Sequence, residues 1–67
     1  MTRATFSWEY MVTAQGAQSV GAPEFVETDS AAAARKAESE YRAAGLYPDR
    51  FKRKAWPNGR HTEWRPC

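Results

Sequence analysis

Hydrophobic and polar positions alternate without a break from Thr5 to Ala14. Phe6, Trp8, Tyr10, Val12 and Ala14 share one side, and Thr5, Ser7, Glu9, Met11 and Thr13 the other. A period of two is that of a pleated strand, so the stretch predicts a half-buried first strand. Gln15–Gly21 follows as a polar, small-residue run in which Gly16 and Gly21 permit backbone conformations that other residues resist, and it predicts a flexible hairpin connection. Pro23 has no N–H to give to a ladder, and Phe25 and Val26 after it predict a short second strand.

The period then lengthens to between three and four. Thr28, Asp29 and Ser30 each offer a side-chain oxygen to the unpaired N–H groups of a helix start, and Ala31–Ala34 opens the strongest helix-forming run in the chain. Ala34, Ala37, Tyr41 and Ala44 line one side at spacings of three and four, while Glu38 lies four residues before Arg42, with Arg35 and Ser39 near them on the wet side. Gly45 can take the left-handed conformation that stops a helix, and Leu46 can fold back over Tyr41. The only helix is therefore predicted over Ala31–Ala44. An alanine face packs closely but brings little area, which leaves aromatic side chains elsewhere to fill the core.

Tyr47-Pro48-Asp49 predicts a turn, and Phe51–Trp56 a third strand in which Phe51, Arg53 and Ala55 alternate with Lys52, Lys54 and Trp56. Pro57-Asn58-Gly59 is a hairpin signal, because Asn-Gly tolerates the positive φ of a tight turn, and Arg60–Trp64 would return as a fourth strand. A two-residue loop at Asn58-Gly59 pairs Trp56 with His61, Lys54 with Glu63 and Arg53 with Trp64; a three-residue loop shifts that register. Arg65-Pro66-Cys67 reads as a frayed end. The expected fold is α+β: an antiparallel four-stranded sheet with one helix on one face, in the order strand-strand-helix-strand-strand, as a single small domain over residues 1–67. Its expected core is Phe6 or Trp8, Tyr10, Val12, Phe25 or Val26, Ala37, Tyr41, Leu46, Phe51 and Trp64. If Phe51 and Trp64 pack inward beside the helix, Lys52, Lys54 and Trp56 face outward together.

Size changes this picture first. A chain of 67 residues buries only about 60% of its unfolded surface on folding, so its margin is thin and a partner or a homodimer would support it. Three Trp, three Tyr and three Phe are enough for one core with some left for contacts. Cys67 is the only cysteine, which excludes an intrachain disulfide and suggests a reducing compartment. With no long apolar run and no charged-then-apolar leader, a cytoplasmic protein with no membrane span is expected. Charge is unevenly spread: residues 1–34 hold one basic and four acidic residues, net −3, and residues 35–67 hold nine and four, net +5. The basic half suggests an anionic partner, nucleic acid or an acidic protein surface, although a solvated face has the same composition.

Catalytic chemistry has little to stand on. One His and one Cys cannot build a zinc site within one chain. His61 sits on a predicted strand without a partner, Cys67 at an end without fixed geometry, and Glu38 and Glu40 on different helix faces. No helix starts after Gly16 or Gly21, so neither belongs to a phosphate loop. The expectation is a protein that is not an enzyme and uses no cofactor or metal. Binding residues are easier to name: Arg50, Lys52, Arg53, Lys54 and Arg60, with Trp56 among them, place cations and an indole on the last hairpin. Such a set holds phosphates and stacks a base, as single-strand binders do. The same residues also read as a core Trp with cations protecting an edge strand.

The order of these features resembles that of very small phage-encoded inhibitors. A hairpin, a helix opening T-D-S-A-A-A-A-R-K-A at Thr28–Ala37 and a second basic hairpin are similar to type I anti-CRISPR proteins of sheet-plus-helix fold. The aromatic strand Phe6–Tyr10, the lead-in Glu27-Thr28, the helix end Tyr41-Arg42-Ala43-Ala44-Gly45 and the strand Arg50–Arg53 resemble, in similar order, the RNA-polymerase inhibitors of T-odd phages, from which Pro57–Cys67 departs. Trp8–Val12 and the F-V-E-T-D-S run at Phe25–Ser30 are similar to the arm-DNA-binding domain of phage integrases. The first likeness implies an inhibitor that acts in the host cytoplasm on a protein or nucleoprotein complex, a Cas effector subunit first, and blocks its nucleic-acid site by steric and electrostatic competition. The others imply inhibition of host RNA polymerase, or a small DNA-binding accessory protein.

Overall fold

A computed structural model describes residues 5–67; residues 1–4 of the domain assigned to 1–67 lie outside the described residues. Strands β1 (Ser7–Ala14), β2 (Phe25–Thr28), β3 (Pro48–Ala55) and β4 (Arg65–Pro66) form an antiparallel sheet in the order β2-β1-β3-β4, and helix α1 (Ala31–Ala43) lies between β2 and β3 in the chain. The α+β fold and the predicted element order are both present.

The alternation of β1 decides which face is which. Tyr10, Val12 and Ala14 point to the helix and meet Ala34, Ala37 and Tyr41, with Val26 and Leu46 at the margin. Ser30 caps the helix by accepting the Ala33 N–H at 3.1 Å, satisfying a donor that has no intrahelical partner. Its other end is closed by Gly45 at φ 85°: the Gly45 N–H donates to the Arg42 carbonyl and the Leu46 N–H to the Tyr41 carbonyl, which is the Schellman stop. The core so enclosed is small. Among the described residues it is Val12, Ala14, Ala17, Ala34, Ala37 and Tyr41, and only Tyr41 is large.

Five expectations are corrected. Gln15–Gly21 is no loose hairpin: Ala17–Val20 makes one 3-10 turn between two left-handed glycines, and Ala17 plugs the core at 1% exposure. Pro48 belongs to no turn but opens β3, the strand position where a missing N–H costs least. Ala44 faces water, because the helix has already turned away from the sheet. The return strand is not Arg60–Trp64. The loop has three residues, with the Gly59 N–H on the Trp56 carbonyl, the Trp56 N–H on the Arg60 carbonyl and Ala55 bridged to His61. An extra residue between His61 and Arg65 then restores the two-residue-loop register further along, where Lys52 opposes Arg65 and Phe51 opposes Pro66.

The fifth correction matters most. Phe51 and Trp64 are not beneath the helix. Phe51 lies directly opposite Met11, an odd position of β1, so it shares the helix-free face, and Trp64 follows it there by stacking on Arg53 at 4.2 Å. Phe25 is 52% exposed on that same face, while Val26 turns inward.

The buried Tyr41 donates its hydroxyl hydrogen to the Pro23 carbonyl and so ties the helix to the segment leading into β2. Tyr41→Phe keeps the ring and removes that bond. Since Pro23 is exposed and water can replace the donor, a loss of about 1 kcal/mol in urea unfolding is expected, with the helix signal unchanged.

Candidate functional site

The strand pairing that buries Val12 also brings Trp8 opposite Lys54 and Tyr10 opposite Lys52. Both lysines therefore project on the helix side of the sheet. The helix does not reach that end: its first turn, through Ala31 and Arg35, borders Tyr10 and Lys52, and beyond it the sheet is bare. Phe6 and Trp8, one or the other of which was expected in the core, are 41% and 36% exposed for this reason. Past the helix, the sheet is a shelf paved with aromatic rings.

Phe6 meets Trp8 edge-on at 5.4 Å between ring centroids and lies 6.0 Å from Trp56. Lys52 Nζ sits 4.7 Å above the Trp8 ring, and Lys54 Nζ sits 4.7 Å above Phe6 and 5.8 Å from Trp8. Each ammonium lies within the range where a ring's quadrupole attracts a cation. The backbone beneath Lys54 is held as well: its N–H donates to Thr62 Oγ1 at 3.0 Å and its carbonyl accepts the Thr62 N–H at 2.9 Å. Trp8, Lys52, Arg53, Lys54, Thr62 and Arg65 line a cleft of about 390 Å³ along this shelf.

The remaining cations divide by partner. Arg50 reaches Glu38 at 3.7 Å, a carboxylate that also holds Arg42 at 3.4 Å. Arg53 projects from the opposite face, bonded to Glu9 Oε1 at 2.8 Å and covered by the Trp64 ring. Arg60 is exposed in the hairpin turn beside Trp56, Asn58 and His61. Among the described residues Lys52 and Lys54 have no carboxylate at ion-pair distance. Of the six residues named from sequence, the structure thus gathers Lys52, Lys54 and Trp56, sets Arg60 at their rim, engages Arg50 elsewhere and sends Arg53 to the other side. Phe6, Trp8, Thr62 and Arg65 join the site without having been named for it. Parity was the missing signal: the even positions of β1 that must bury Val12 also carry Trp8, and an antiparallel neighbour adds its own even positions to the same face.

The chemistry of this surface is that of a charge-presenting platform. Cations and rings share this surface, with Lys52 and Lys54 half-buried beside the more exposed Phe6 and Trp8, so an approaching partner meets both. His61 takes no part: its Nδ1 lies 2.9 Å from the Thr62 carbonyl, which can only accept, so that nitrogen carries the hydrogen and cannot also accept from Arg53 at 3.4 Å. Among the described residues no three His, Cys, Asp or Glu side chains are gathered as a metal site would need, and no helix is long and apolar enough to cross a membrane. No family model, curated protein or solved structure matches the chain.

Proposed function

We propose that this is a non-enzymatic binding protein whose shelf of Phe6, Trp8, Lys52, Lys54 and Trp56 seats it on an anionic surface of a larger complex, so that it acts by occupying a site. The observation that carries this is the pair of lysines without carboxylate partners, held over aromatic rings on a rigid strand. Rigid cations over an aromatic floor lose little entropy on contact, and Trp is the residue type most often at the centre of a binding surface. Taken with the sequence resemblance, the complex is a host machine that handles nucleic acid, a Cas effector subunit first, and the protein is an inhibitor of the anti-CRISPR kind. It would work in the cytoplasm, with no cofactor and no turnover.

A second reading is a DNA-binding accessory protein that grips phosphates directly, favoured by the same two ammonium groups without carboxylate partners. Two measurements separate them. In gel shifts with single-stranded and duplex oligonucleotides across a salt series, a direct binder loses affinity steeply as salt rises, with a slope that counts its phosphate contacts. An occluding inhibitor ignores free DNA and co-purifies, from nuclease-treated lysate, with a nucleic-acid-handling complex whose activity it lowers. Failure of both would remove the shelf as the functional surface.

A further inference from the structure

Where the first turn of α1 meets the sheet, cations from two elements surround one hollow. Arg50 and Lys52 stand opposite Val12 and Tyr10, which sets them on the helix side, and Arg35 of α1 lines the same space of about 310 Å³. Trp8, Tyr10 and Ala31 form its walls, and Cys67 closes its edge, held there by an N–H that donates to the Arg50 carbonyl at 2.9 Å. Three like charges around one hollow repel, and the fold offsets little of this. Glu38 is the only carboxylate among the described residues at ion-pair distance from any of the three; it lies 3.7 Å from Arg50 and also holds Arg42 at 3.4 Å. Glu9 and Asp49 are on the other face of the sheet, opposite Arg53 and Thr13, and the first turn of α1 carries no acid. The corner is left positive.

We infer that this corner binds a phosphate group, either free or as the terminal phosphate of a nucleotide. A terminal phosphate carries about −1.5 to −2 charge at neutral pH and turns its acceptor oxygens in several directions, so it accepts from cations on the helix and on the sheet at once. A carboxylate has a single charge and two oxygens in one plane, and it would leave part of the cluster unmet. Arg35 and Arg50 supply planar forks that match phosphate oxygens, and Lys52 supplies a point charge on a flexible stem. Arg50 is free to turn to the ligand. Its contact with Glu38 is longer than a hydrogen bond, and Glu38 keeps Arg42 when Arg50 leaves, so no carboxylate is orphaned by the exchange. Glu38 therefore competes with the ligand for Arg50 and sets the affinity of the corner. This role is separate from docking by the shelf, in which Arg35 and Arg50 take no part, although Trp8 and Lys52 border both.

Proton–nitrogen correlation spectra of the full chain, titrated at constant ionic strength, test this. Inorganic phosphate at millimolar concentration is expected to move the indole N–H of Trp8 and the backbone amides of Ala31, Arg35 and Lys52, while the indole of Trp64, on the other face, stays still. Thymidine should move none of them. Thymidine 5′-monophosphate should bind at least as well as phosphate: a tighter complex makes the ligand a nucleotide, and equal affinity makes it the phosphate alone. Arg35→Gln, at an exposed helix position, should weaken phosphate at least about fivefold with the circular dichroism unchanged. Glu38→Gln, which releases Arg50, should tighten it at least about twofold, and Glu40→Gln, an equal change of charge at an exposed position outside the corner, should not. Lys54→Gln, in the shelf and outside the corner, should leave the phosphate titration unchanged, so that lost docking with intact phosphate binding, or the reverse, tells failure of the shelf from failure of the corner. A phosphate titration that moves no corner signal overturns the proposal, as does an Arg35→Gln protein that titrates like the wild type, thymidine that shifts the same signals, or a Glu38→Gln gain no larger than that of Glu40→Gln.

Discussion

Ala34→Asp is expected to leave the chain unfolded, while Ala33→Glu, one residue away, raises its melting temperature. Ala34 has no exposed surface and sits against β1 in a core in which no described polar or charged side chain is buried, so a carboxylate there would have neither water nor a partner. The penalty for an unpaired buried charge is several kcal/mol even after relaxation. A core of this size rarely supplies more than about 3–5 kcal/mol in all, which the substitution would consume. Ala33 is exposed and is the third helical residue after the Ser30 cap, in a first turn that holds no acid. The Ser30 N–H is already donated to Thr28 Oγ1 at 3.1 Å, so glutamate there acts by facing the positive end of the helix, for a gain of about 0.5 kcal/mol. Urea melts of the two variants check the pair of opposite signs. A folded Ala34→Asp protein would mean that the helix presents a different face to the sheet.

The helix was legible because every local cue agrees there. Cap residues, an alanine run, an ion pair at four-residue spacing and a Gly-Leu stop all point to one element, and the structure ends it within one residue of the expectation. The alternation of β1 was equally plain, and it identified Tyr10, Val12 and Ala14 as the helix side. What could not be read was how far the helix covers that side. Phe6 and Trp8 continue the inward pattern of β1, yet thirteen helical residues span only about 20 Å and the sheet runs on past them. Phe51 and Trp64 failed for another reason. Aromatic residues suggest a core wherever they fall, but a strand's facing is set by its neighbour's register, and Met11 opposite Phe51 decides it. The three-residue loop at Pro57–Gly59 and the extra residue after His61 compensate one another in register, an arrangement that no local turn signal contains. In the candidate site, the lysines were found by their charge and Phe6 and Trp8 were missed, because the latter belong to it only through long-range pairing.

Lys52→Glu together with Lys54→Glu is expected to abolish partner binding while the chain stays folded. Each lysine is half-buried along its stem and lies over a ring, so the change is not as neutral as an ordinary surface substitution: losing these cation–ring contacts costs about 0.5–1 kcal/mol apiece, and the melting temperature should fall by several degrees. The strand itself is retained, because the β1–β3 pairing and the Lys54 backbone bonds to Thr62 do not depend on side-chain charge. Lys52→Gln with Lys54→Gln serves as the milder pair, removing two charges without adding any. If the shelf grips phosphates, the glutamine pair should lower the slope of log affinity against log salt by about 1.8 for duplex DNA, or by about 1.4 for a single strand, since each released counterion contributes nearly one unit. If the partner is an acidic protein surface, the glutamine pair should weaken the complex and the glutamate pair should eliminate it, with little change in oligonucleotide binding. Arg53→Gln is the contrasting variant: it breaks the bond to Glu9 on the opposite face and, at a residue that only borders the shelf cleft, should reduce stability while changing both binding measurements less than the lysine pairs do. Full partner binding by the folded glutamate pair would show the shelf to be a solvated surface.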